Sequence, residues 1–126
     1  MDRLDELNDR CRQFAIERDW LPYQNPKNLA MALAGEVGEL VAELQWLTPE
    51  ESAAVMDDPE AGPRVRAEFG DVAIYLMRLA DVLGIDPVQA AHDKLDHSGR
   101  RYTVDEYRGS TRKAPPLADS GDQADS

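Results

Sequence analysis

Ala32-Leu33-Ala34-Gly35-Glu36-Val37-Gly38-Glu39-Leu40 is the stretch that decides how this chain folds. Its apolar residues belong to a longer series, Leu29, Leu33, Val37, Leu40, Leu44 and Leu47, recurring at the three- and four-residue steps of an amphipathic helix. Glu36 and Glu39 are three residues apart, a spacing that puts both on one side of such a helix. Further along, Glu68-Phe69-Gly70-Asp71 repeats the arrangement inside a second series, Val65, Val72, Leu76, Leu79 and Leu83.

Helical phase locates these acids. With Leu29 at zero, the first apolar series spans about 0° to 80°, while Glu36, Glu39 and Glu43 fall at about 280° to 340°. With Glu68 at zero, the second series spans about 20° to 80°, with Asp71 near 300° and Tyr75 near 340°. The acids therefore border the apolar stripes. A carboxylate at that edge is costly unless it is paired or binds a metal, and bases are scarce on these helices, Lys27 and Arg78 being the main ones.

Outward from this pair the pattern is helical, with almost no β-alternation. Leu4, Leu7, Cys11, Phe14 and Ala15 predict a first helix reaching about Trp20. Pro22 and Pro26 break it, leaving Tyr23–Pro26 as a loop. The second helix is expected from Lys27 or Asn28 to Leu47, with Asn28 a candidate N-cap. Thr48-Pro49-Glu50-Glu51 carries a capping box for a short third helix. A turn-rich connector over 57–63 leads to a fourth helix from about Arg64 to Leu83, stopped by Gly84, and Asp86-Pro87 opens another running to about His97. The expectation is an all-α fold of four to five helices occupying residues 1–113. Residues 114–126, acidic and poor in large apolar groups, are expected to be a disordered tail.

At 126 residues the chain suits one small domain, and 42% hydrophobic content supports a globular core. A formal net charge of −11 argues against nucleic acid or an anionic membrane as a partner. It leaves room for a nucleotide, because bound cations invert the sign of a small pocket. Cys11 is the single cysteine, which fits a reducing compartment, and no signal peptide or membrane-length apolar run is read. The default expectation is cytoplasmic.

Four acids on two helices make an oxygen-rich site suited to a hard cation. Glu-x-x-His pairs, the mark of di-iron bundles, are absent, and His92 and His97 have no ligand-spaced cysteine for zinc. Carboxylate-only ligation favours Mg²⁺, with Mn²⁺ as the alternative. His92 reads as a helix-surface residue. Trp46, near 260° on the second helix, lies off the apolar stripe beside the acids, a position for a pocket wall.

The order of these motifs resembles a known family. Phe14-Ala15-Ile16-Glu17-Arg18-Asp19-Trp20, Pro26-Lys27-Asn28-Leu29, the stretch quoted first, Gln45-Trp46, Glu68-Phe69-Gly70-Asp71-Val72-Ala73-Ile74-Tyr75-Leu76, Gly84-Ile85-Asp86, Lys94 and Arg101-Tyr102 follow the MazG-like nucleotide pyrophosphohydrolases, and most closely the dCTP pyrophosphatase branch. The resemblance covers roughly residues 4 to 113. It implies that Glu36, Glu39, Glu68 and Asp71 bind Mg²⁺ and the triphosphate, with Glu39 taken as the carboxylate that orients or deprotonates the attacking water. It implies cleavage between the α- and β-phosphates of a nucleoside triphosphate, and assembly as a homodimer or homotetramer.

By the same resemblance Trp20 and Trp46 enclose the base, Tyr75 contacts sugar or base, and Asn28 donates to the nucleotide. Lys94 approaches the phosphates, and Arg101 and Tyr102 continue that surface, with Arg100, Arg108, Arg112 and Lys113 as further neutralisers. The chain departs from the family at Ser98, where asparagine is usual, and at Thr103, where proline is common. The shorter serine weakens or replaces one recognition contact, with His97 as a substitute, and leaves base preference open. Two other readings are a domain that keeps this fold without hydrolysis, and a helical interaction module whose acids are simply solvated.

Overall fold

The computed structural model describes residues 2–118 and divides into two compact units, residues 1–85 and 86–126. The first holds α1 (Arg3–Glu17), α2 (Pro26–Leu44), α3 (Pro49–Ala53) and α4 (Ala61–Leu83). The second holds α5 (Pro87–Arg101) and α6 (Val104–Tyr107). No strand occurs among the described residues. The all-α expectation is met by four long helices and two short ones.

In the first unit α2 packs principally on α4, and α1 also lies against α4. Glu43 of α2 pairs with Arg64 of α4 at 3.1 Å, while Glu36 and Glu39 neighbour Glu68 and Asp71. Sequence order thus rises along one helix as it falls along the other, and the two are antiparallel. Leu29, 2% exposed, is the largest fully buried side chain, with Cys11, Ala15, Val55, Met77 and Ala80 around the same core. Burying a leucine to this degree contributes about 2 kcal/mol.

Helix ends differ from the sequence expectation where turn chemistry intervenes. α1 stops at Glu17 because Asp19 adopts φ 55°, a left-handed conformation that Asp tolerates better than most residues. Its N–H then reaches Ile16 O at 3.1 Å, and Trp20 N–H reaches Ala15 O at 3.0 Å. Those two bonds are the signature of a Schellman stop. Gly84, at φ 69°, ends α4 in the same way through Ile85 N–H to Ala80 O at 2.9 Å.

Leu21–Tyr23 forms a 3-10 turn that takes in the first residue of the expected loop. Pro26 does not break a helix; it begins one, as the first residue of α2. The N-cap of α2 is Asn25, whose side chain accepts from Asn28 N–H at 2.9 Å. Asn28 is not the cap, being already helical. The Thr48 capping box forms as its sequence indicates, with Glu51 Oε1 accepting from Thr48 N–H at 2.9 Å.

Within the connector over 57–63, Asp58 takes the N–H groups of Glu60 and Ala61 at 2.8 and 2.9 Å, starting α4 earlier than expected. Gly62 is required there, since a Cβ would lie 2.9 Å from Met56 O. α5 runs past His97 to Arg101, and α6 follows it beyond the last helix expected.

The apolar stripes are only partly covered. Val37, Leu76 and Leu83 are 41%, 48% and 49% exposed, and Phe14, Ile74 and Met31 are also open to solvent. In the second unit the Arg101 guanidinium holds Ala114 O and Pro115 O, while Tyr102 OH accepts from Ala114 N–H at 3.1 Å. The start of the segment read as a tail is therefore tied to the end of α5. The remainder of that expected tail, 119–126, lies outside the described residues.

Candidate metal centre and base pocket

Glu36, Glu39, Glu68 and Asp71 converge between α2 and α4, each offering a carboxylate oxygen within 4.8 Å of the others. Two antiparallel helices with i, i+3 acids facing each other produce this quartet with no loop involved. Glu36 and Glu68 are half-buried, and each has one buried oxygen with no hydrogen-bond partner. Glu39 and Asp71 form the exposed side of the cluster.

Desolvation, the neighbouring Glu39 carboxyl and the negative charge of Asp71 push the Glu36 carboxyl above its ordinary range. Glu68 is raised by desolvation and Glu39, then by Asp71 and Glu36. Glu43, one turn beyond Glu39, is different: Arg64 neutralises it.

This donor set fits a hard divalent cation. Its oxygens are close enough to share an ion, two of them are buried and unsatisfied, and like charges at that spacing repel without one. Helical Gly35, Gly38 and Gly70 adjoin the acids, and a Cβ at any of them meets nothing within 4 Å. Packing inside the chain does not explain these glycines, each costing a helix about 1 kcal/mol relative to alanine.

Next to the quartet lies an open cavity of about 360 Å³, lined by Trp20, Tyr23, Gln24, Asn28, Leu29, Ala32 and Tyr75. Ala32 is one turn before Glu36 on α2, and Tyr75 one turn after Asp71 on α4. The Schellman stop of α1 delivers Trp20, which also meets Phe14 edge-on at 5.8 Å between ring centroids. Asn28 Nδ2 donates to Tyr23 O at 3.0 Å. Three residues predicted from sequence, Trp20, Asn28 and Tyr75, thus share one cavity.

Trp46 does not line that cavity and stands 87% exposed just beyond α2. Because α2 ends at Leu44, the helical phase used to place Trp46 no longer applies to it. Tyr23 and Gln24 were missed. Their signal was the predicted loop itself, since the segment from Trp20 to Asn28 supplies most of the wall.

Lys94, Ser98, Arg101 and Tyr102 belong to the second unit. There Ser98 O accepts from Tyr102 N–H at 2.7 Å, and the Tyr102 ring meets Tyr107 edge-on at 5.0 Å. His97 is buried, and His92 is exposed as its type suggests.

A bundle whose antiparallel helices hold a carboxylate quartet beside an aromatic cavity has the architecture of the helical pyrophosphatases. The crystal structure of a pyrophosphatase from Archaeoglobus fulgidus matches it with a TM-score of 0.75 and 36% identity, covering 82% of this chain and 94% of that one. Curated relatives agree. The chain is 39% identical to human dCTP pyrophosphatase 1 over 124 residues, 96% of its own length and 73% of the relative's. It is also 39% identical to the bovine dCTP pyrophosphatase 1 over 114 residues, 90% of this chain and 68% of that protein. No protein-family model matches the sequence. The chain belongs to the dCTP pyrophosphatase family, and it is a hydrolase.

Proposed function

We propose that this protein is a Mg²⁺-dependent nucleoside triphosphate pyrophosphohydrolase, converting a (d)NTP and water into a (d)NMP and diphosphate. The observation that carries the reading is the carboxylate quartet, whose two buried oxygens lack partners. Glu36, Glu39, Glu68 and Asp71 are the residues assigned to hold the ion, with Mn²⁺ able to replace it. Mg²⁺ bound there supplies charge neutralisation for the triphosphate and acidifies a water.

The chain's own part is positioning and proton transfer. Glu39, on the exposed side of the quartet, is assigned to accept a proton from water attacking the α-phosphorus. The bond from that phosphorus to the bridging oxygen breaks, and diphosphate leaves. Trp20 and Tyr75 are assigned to flank the base. Lys94, Arg101 and Tyr102 are proposed to serve the phosphate end, with Ser98 in the place of the family's asparagine. Trp46, standing outside the cavity, is proposed to complete the enclosure in the assembled enzyme.

The names of the curated relatives favour dCTP, or a modified pyrimidine dNTP, as substrate. The exposed apolar residues along α1, α2 and α4 favour a homodimer or homotetramer. Among the described residues no helix is long and apolar enough to cross a membrane. Cytoplasmic housekeeping of the nucleotide pool is the role that fits, with no part for nucleic acid.

The test is a panel of canonical and modified NTPs and dNTPs with Mg²⁺, scored for diphosphate against phosphate. Diphosphate release that stops on chelation is the expected result. Phosphate as the sole product contradicts cleavage at the α–β bond.

A further inference from the structure

Gln24 ends a relay of charge-assisted hydrogen bonds that starts at Arg12 of α1. Arg12 of α1 clamps Asp81 of α4 through Nη2 and through Nε at 3.0 Å. Asp81 also accepts from Arg78 Nη1 at 2.7 Å, and Arg78 Nε donates to Gln24 Oε1 at 2.8 Å. Arg78 is 3% exposed, so its guanidinium is held in place by these partners and by packing.

The relay fixes which way the Gln24 amide faces. A guanidinium has only donors, so the amide oxygen must point to Arg78. Rotating the amide by half a turn would set its NH₂ against the guanidinium N–H and strand both donors. The NH₂ is the part of the amide left for the cavity that Gln24 lines with Trp20, Tyr23 and Tyr75. Asn28 differs, because one N–H of its amide is already given to Tyr23 O.

We propose that Gln24 determines base specificity, donating its oriented amide N–H to the acceptor edge, N3 and O2, of a cytosine. Thymine and uracil carry N3–H there, which meets Gln24 donor to donor. Arg78, Asp81 and Arg12 are positioning residues that keep the amide from turning over. This assignment rests on the cavity receiving the base of a nucleotide, as proposed above.

Binding of non-hydrolysable α,β-methylene dCTP and α,β-methylene dTTP in the presence of Mg²⁺ tests it without depending on turnover. Wild type is expected to prefer the cytosine analogue. Gln24→Glu keeps an oxygen for Arg78 and replaces the NH₂ with an acceptor, so the preference should fall by about tenfold or more. Gln24→Met, which offers neither donor nor acceptor, should erase much of the preference.

Asp81→Asn frees Arg78 and should reduce the preference while wild-type Glu39 and Asp71 remain in place. An unchanged cytosine preference in both Gln24 variants overturns the proposal, as does a wild type with no preference. A wild type that binds with the expected preference yet releases no diphosphate from dCTP counts against the hydrolytic reading alone.

Discussion

Glu36 of α2 and Glu68 of α4 bring carboxylate oxygens within 4.8 Å of each other, and each has one buried oxygen without a partner. The folded chain therefore carries a local electrostatic cost that a bound cation would relieve. Mg²⁺ at one hundred times its Kd should raise stability by about 2.7 kcal/mol. Glu36→Gln or Glu68→Gln should stabilise the chelated protein while removing most of that response. Thermal melts with and without Mg²⁺ check both effects, and a wild-type melt indifferent to Mg²⁺ counts against the site.

Glu39 and Asp71 face outward, so their neutralisation leaves the fold alone. Glu39→Gln and Asp71→Asn should each lower diphosphate release by about a hundredfold or more. Circular dichroism should show unchanged helix content. Undiminished release by both variants removes the metal assignment.

The helical glycine Gly38 has open space where a Cβ would go. Gly38→Ala should then stabilise α2 by about 0.5 to 1 kcal/mol. If that room serves substrate or metal, the same variant loses activity as it gains stability. Denaturant unfolding and kcat/KM, measured on one preparation, separate the two. Gain without loss would make the glycine functionally idle.

Arg12 and Arg78 hold the Asp81 carboxyl down at about 2, below its usual value near 3.8. An acid depressed on folding contributes its stability above the unfolded pKa and loses it as pH falls through the folded one. About 2 kcal/mol should therefore disappear between roughly pH 4 and pH 2. Asp81→Asn should flatten that part of the stability curve. Urea midpoints across the window provide the check.

The helices were legible because the apolar period is unbroken through α2 and α4, and the same phase placed Glu36, Glu39, Glu68 and Asp71 on facing edges. The Thr48 cap and the Gly84 stop are equally local. What escaped was non-local or stereochemical. Asp19 entering the left-handed region cannot be told from Asp19 in a helix by periodicity, so periodicity predicts a first helix longer than the observed α1. Asn25 and Asn28 are both competent caps, and Pro26 at the first helical position decides for Asn25. Gln24 joins the cavity through Arg78, 54 positions away, a pairing that only the packed structure supplies.

The stretch from Asp19 to Asn28 separates two kinds of work. In the proposed reading the chemistry belongs to the carboxylates of α2 and α4. In that reading discrimination belongs mainly to the short segment between α1 and α2, which runs from a left-handed aspartate through a 3-10 turn to the Asn25 cap. Substitutions between those anchors should retune which nucleotide is accepted while the carboxylate quartet stays intact. Mutagenesis aimed at new substrates therefore belongs on that segment.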